Sequence, residues 1–126
     1  MLGLKLATDP RWANIAEKSI EEILSDHAYC EQKAATNCIS IIINYPDKKE
    51  IIDKLSPIVT EEWGHFRMVI RELDKRGLEL GQKRKDDYVK LISKVIITGG
   101  NRENQLVERL LLAALICLLY TSPSPR

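Results

Sequence analysis

With 126 residues the chain has room for one hydrophobic core and none for a second domain. Its 44% hydrophobic, 29% charged and 6% aromatic residues fit a soluble helical protein. A formal net charge of +1 excludes a strongly basic or acidic protein, so any nucleic-acid partner would have to be met by a local patch.

Thr8-Asp9-Pro10 reads as a helix start, because Thr or Asp caps free amide groups and proline is tolerated in the first turn. Helical periodicity then runs to Tyr45, with a break expected near Lys18-Ser19 and an end at Pro46-Asp47. At 1.5 Å per residue, Ile20 to Tyr45 would span about 40 Å, the length of a bundle helix. A second helix begins after Asp47 or, alternatively, at Ser56-Pro57, and ends at Lys75-Arg76-Gly77, basic residues followed by a capping glycine. If it starts at Asp47, Pro57 should kink it. A polar connector, Leu78 to Lys85, carries the basic run Lys83-Arg84-Lys85. A shorter helix follows over Asp86 to Ile97, closed by Gly99-Gly100. The last begins near Asn101 and is strongly apolar from Leu106, but Leu110 to Tyr120 is too short to cross a bilayer and follows Glu108-Arg109 directly. Thr121 to Arg126 is a Ser/Pro tail that cannot continue a helix.

Cys30, Cys38 and Cys117 show no C-x-x-C spacing, and Met1 to Leu6 has no signal-peptide apolar core; both point to a reducing cytoplasm. The sequence holds no internal repeat, no Gly-rich phosphate loop, no nucleophile elbow and no Ser/His/Asp set. His27 and His65 therefore bound the available acid–base or metal chemistry.

Glu62 and His65 are three apart, so a helix would place their Cβ atoms about 5 to 6 Å apart on one face. That face is apolar: Leu55, Ile58, Val59, Val69 and Leu73 share it. Glu31 lies in a similar line of Ile23, Leu24, His27, Ala28, Ala34, Ala35 and Cys38. Ionised carboxylates are rarely buried without a partner, because desolvating them costs several kcal/mol. Two helices that each aim acid inward need a shared cation. A Glu on one helix and Glu-x-x-His on the next is half of the set by which four-helix bundles hold two irons or manganeses. The bland alternative is a helical hairpin with a buried polar network.

Several stretches together resemble the bacterial tRNA-(2-methylthio-N6-isopentenyladenosine) hydroxylase family, the MiaE-type members of the ferritin-like superfamily. They are Leu6-Ala7-Thr8-Asp9-Pro10-Arg11-Trp12, Asp26-His27-Ala28-Tyr29-Cys30-Glu31-Gln32-Lys33-Ala34-Ala35, Glu62 to Phe66, Lys75-Arg76-Gly77 and Arg84-Lys85-Asp86-Asp87-Tyr88, with Leu110 to Ile116 as a weaker continuation. The resemblance implies an all-α, ferritin-like four-helix bundle, here incomplete: the first two long helices, a short helix and part of the third bundle helix. It implies that Glu31 is the first-helix metal ligand, Glu62 the bridging ligand and His65 its partner. The family pattern would put a further Glu at or next to Cys117, with another Glu-x-x-His beyond.

Leu118 to Arg126 looks like a translated library-adapter sequence, so residues 1–116 are expected to be family sequence, 117–126 a foreign tail, and the chain a truncated reading of a longer gene without activity of its own. The resemblance further implies two irons, O2 as co-substrate, an external electron donor and hydroxylation of the isopentenyl side chain of a modified adenosine in tRNA. Lys83, Arg84 and Lys85 are then the first candidates for phosphate contact. His27, one turn before Glu31, either orients that carboxylate or is a core histidine, while Cys30 and Trp63 read as packing residues. Two other functions fit less of the sequence: a ferritin- or rubrerythrin-like protein storing iron or reducing peroxide, and an inactive helical interaction module. A homodimer packed about a two-fold axis would double the Glu/Glu/His set and offer the fragment a route to iron.

Overall fold

The computed structural model describes residues 19–83 and 99–120, together with Pro10, Arg11, Asn14, Lys90, Leu91 and Lys94. Its long elements are α1 (Ile20–Asn44), α2 (Lys49–Lys75) and α3 (Arg102–Tyr120). The helix expected before Lys18 and most of the one expected over 86–97 lie outside the described residues, although Arg11, Asn14, Lys90, Leu91 and Lys94 are helical.

Helix α1 starts after Ser19, which sits in a turn at the expected break, and Glu21 and Glu22 place negative charge at its amide-rich end. Its inward line is made of small groups, Ser25, Ala28, Cys30, Ala34, Ala35 and Cys38, among which Glu31 and Ile41 are the large ones. Small side chains let α2 approach closely along this line. The helix stops because Tyr45 precedes a proline, which disfavours helical backbone at that residue; Tyr45 has φ −130° and its N–H still donates to the Ile41 carbonyl at 3.0 Å. Arg102, at the start of α3, stacks its guanidinium 5.0 Å from the centre of the Tyr45 ring, donates to the Asn44 carbonyl at 3.0 Å and pairs with Asp47. One side chain thereby joins the turn and the root of α3.

Helix α2 begins at Lys49, so the start after Asp47 is the one the protein uses, and it continues through Pro57 to Lys75. The hydrogen bond that Pro57 cannot donate falls on an exposed stretch, where water can serve the freed Asp53 carbonyl. Ile51, Leu55, Ile58 and Val59 meanwhile face the core. Gly77 ends the helix with φ +67°: the Leu78 N–H donates to the Leu73 carbonyl and the Gly77 N–H to that of Asp74, both at 3.0 Å.

The short Tyr45–Lys48 connection makes α1 and α2 an antiparallel hairpin, and α3 packs back onto α1. Asn101 caps α3, its side-chain oxygen accepting from the Asn104 N–H at 2.8 Å. The shared core comprises Cys38, Ile41, Tyr45, Leu55, Leu106 and Ala113, with Ile42, Ile51, Ile58, Val59 and Leu110 against it. Helix α3 continues past position 117 to Tyr120; the side chain of Cys117 and the whole of 121–126 lie outside the described residues. Among the described residues no helix is long and apolar enough to cross a membrane.

Candidate metal centre

Glu31 and Glu62 meet between α1 and α2, 2% and 6% exposed, and His65 closes the group one turn along α2. His65 Nδ1 lies 3.6 Å from Glu31 Oε2 and 3.7 Å from Glu62 Oε2, and one donor atom from each residue falls within 4.8 Å of the others. These separations are too long for good hydrogen bonds. They suit a cation between the donors: metal–ligand bonds of about 2.0–2.2 Å set neighbouring donors about 3 Å apart, a small closure from the distances observed. Glu31 Oε2 is buried and has no hydrogen-bond partner among the described residues, an arrangement that costs free energy unless something positive arrives.

The electrostatics agree. Burial, reinforced by the close approach and negative charge of Glu62 and by the charge of Glu61, pushes the Glu31 carboxyl up to about 8. Without a cation, Glu31 keeps its proton well above the usual carboxylate range. Cys38 belongs to the same environment, its thiol raised by burial and then by Glu62. The donor set, two carboxylates and an imidazole, is the mix that suits iron and zinc better than calcium or magnesium.

His27 reaches the centre from the next turn of α1, with Nε2 2.9 Å from Glu31 Oε1. Its side chain is 47% exposed, so the core-histidine reading is set aside. Burial, then the charge of His65, lowers its pKa, which keeps the ring neutral near pH 7. Cys30 is buried, as a packing residue should be. Trp63 corrects the expectation made for it: it is 44% exposed and stacks on Phe66 with centroids 4.7 Å apart, because its position on α2 turns outward beside the inward Glu62.

Lys83 is exposed and lines an open cavity of about 390 Å³ together with Glu21, Glu22, Ser25, Asp26, Gly81 and Gln82. Arg84 and Lys85 lie outside the described residues. What held no sequence signal is the clamp beneath this connector. Tyr29 Oη donates to the Gly81 carbonyl and the Gly81 N–H donates to Ser25 Oγ, both at 2.9 Å, across more than 50 residues.

The model of the family described as tRNA-(MS[2]IO[6]A)-hydroxylase (MiaE) matches residues 2–118. The chain belongs to the MiaE family. It is 28% identical over 109 residues to the tRNA 2-(methylsulfanyl)-N(6)-isopentenyladenosine(37) hydroxylase of Pseudomonas putida, an alignment covering 86% of this chain and 52% of that protein. This MiaE-family chain thus spans about half the length of the curated relative it matches. Among solved structures it is similar to a Synechococcus protein with aldehyde deformylating oxygenase activity, at TM-score 0.77 and 28% identity over 99% of this chain and 66% of that one. The all-α, ferritin-like architecture expected for a MiaE-family sequence is therefore the one observed.

Proposed function

We propose that this chain provides metal-binding helices of an iron- and O2-dependent hydroxylase acting on the isopentenyl side chain of 2-methylthio-N6-isopentenyladenosine in tRNA. The observation that carries the reading is the convergence of Glu31, Glu62 and His65 within 4.8 Å in a chain of the MiaE family. Glu31, Glu62 and His65 would hold the metal, and iron bound there supplies the activation of O2 that hydroxylation of an unactivated C–H bond requires.

The chain's own residues prepare that chemistry in three ways. The carboxyls of Glu31 and Glu62, buried against small residues of α1 and apolar residues of α2, neutralise a dication and exclude water from its vicinity. Bound through a ring nitrogen, His65 would add a donor without adding charge, so the two carboxylates balance the charge of the ion. Glu31, protonated up to about pH 8 in the absence of metal, gives up its proton when a cation arrives.

Inserting one oxygen atom of O2 into substrate leaves the other to be reduced to water, so a separate electron donor is required. A tRNA substrate places the reaction in the cytoplasm and calls for phosphate contacts, for which Lys83, Arg84 and Lys85 are the candidates. The test is expression of a full-length protein that contains these helices in a bacterium able to make 2-methylthio-N6-isopentenyladenosine but not to hydroxylate it. Mass spectrometry of its tRNA nucleosides should show one added oxygen on that nucleoside. Unchanged nucleosides beside an iron-loaded protein would refute the reading.

A further inference from the structure

The contact between His27 and Glu31 divides the two oxygens of one carboxylate. Oε1 is 2.9 Å from His27 Nε2, on α1 itself, while Oε2 is the buried atom without a hydrogen-bond partner among the described residues and faces His65 Nδ1 at 3.6 Å. A carboxylate can grip a metal through one oxygen or both. Here one oxygen already lies against the His27 ring, and the other is turned to the side where Glu62 and His65 converge.

We propose that His27 is a positioning residue that holds Glu31 in one-oxygen binding, with Oε2 on the metal and Oε1 on the His27 ring. This rests on the reading of Glu31, Glu62 and His65 as a metal centre. An ionised carboxylate only accepts hydrogen bonds, so the bond to Oε1 requires the His27 tautomer that carries its proton on Nε2. Hydrogen bonds to an ionised acceptor are about twice as strong as neutral ones, so turning both oxygens onto the metal would mean giving up a strong bond. The spacing supports the assignment, because residues four apart on a helix lie one above the other and the imidazole needs no backbone shift to reach Glu31. At 47% exposure the His27 side chain is only partly covered, and its Nε2 contact with Glu31 is a polar interaction that can orient the ring.

Held in this way, Glu31 would take one coordination position where a two-oxygen grip would take two. Partners of this kind, hydrogen-bonded to a ligand rather than to the metal, change affinity by about 10- to 100-fold when removed.

The test is titration of the full chain with Co2+ as probe, reading affinity and the visible absorption that reports coordination number, for wild type, His27→Leu and His27→Gln. Leu and Gln are both good helix formers, and the Gln amide places a donor near the position of Nε2. Leu should weaken Co2+ binding about tenfold or more and alter the spectrum. Gln should restore both. Three results would overturn the proposal, each in its own way. Leu indistinguishable from wild type would show that the bond positions nothing. A spectrum recovered by no residue but His would make His27 a direct ligand. A wild-type chain that binds no Co2+ would remove the metal reading itself.

Discussion

Glu31 is the residue on which the energetics of the centre turn. Its carboxyl, ordinarily near 4.5, is raised to about 8 by burial and by Glu62. A carboxyl protonated more readily in the folded than in the unfolded state contributes stability that is fully present below pH 4.5 and is lost as pH rises through about 8. The metal-free protein should therefore melt at progressively lower temperature across that window, and Glu31→Gln, which keeps shape without the titration, should flatten the profile. Thermal unfolding in chelator at a series of pH values checks this; parallel profiles for the two proteins would contradict it. The same variant should not bind metal. At this scale the sequence is informative about identity and mute about partition. Glu31, Glu62 and His65 are legible because polar residues on an apolar helical face demand a reason. His27 is legible only as one of two readings, an orienting partner of Glu31 or a core histidine, since its distance from Glu31 follows from helical spacing but its exposure depends on how α1 is covered by the rest of the bundle.

The helix ends show how far local signals reach. Gly77 is legible as a cap, and its φ of +67° explains why glycine stands there. An added Cβ would meet nothing within 4 Å, so Gly77→Ala should cost about 1–2 kcal/mol from backbone conformation alone. The urea midpoint should fall with an unchanged slope, and an unshifted midpoint would contradict the cap. Pro57 is the ambiguous signal, compatible with a helix start or a helix interior. Its neighbours decide it: Ile51 and Leu55, six and two residues earlier, pack on the shared core and hold the helix through the missing hydrogen bond. Contacts such as Tyr29 with Gly81, 52 residues apart, leave no periodic trace in the sequence.

At the scale of the whole molecule, charge and apolar surface make separate demands. Lys83 shares its cavity with Glu21, Glu22 and Asp26, which weaken its pull on a phosphate. In tRNA binding, Arg84→Ala and Lys85→Ala should therefore each flatten the salt dependence more than Lys83→Ala does, by roughly 0.7 to 0.9 in log–log slope for each phosphate no longer neutralised. Equal effects would show that the acidic neighbours do not matter. Ile39 and Ile43 on α1 and Val107, Leu111 and Leu115 on α3 are exposed at four-residue spacing. Apolar rows of this kind seek cover. Light scattering should show mass above the monomer for this chain, decreasing when Ile43 and Leu111 are both changed to Lys; a monomer at all concentrations would contradict that.

The central claim, that α1 and α2 bring three side chains together to bind a metal, is tested most directly by Fe2+ titration under argon of the wild-type chain and of Glu62→Ala, with helix content followed by circular dichroism. Removing a buried acid deletes a donor but also relieves the burial of charge, so the variant should keep its helices and lose its iron. Full iron binding by Glu62→Ala would contradict the claim.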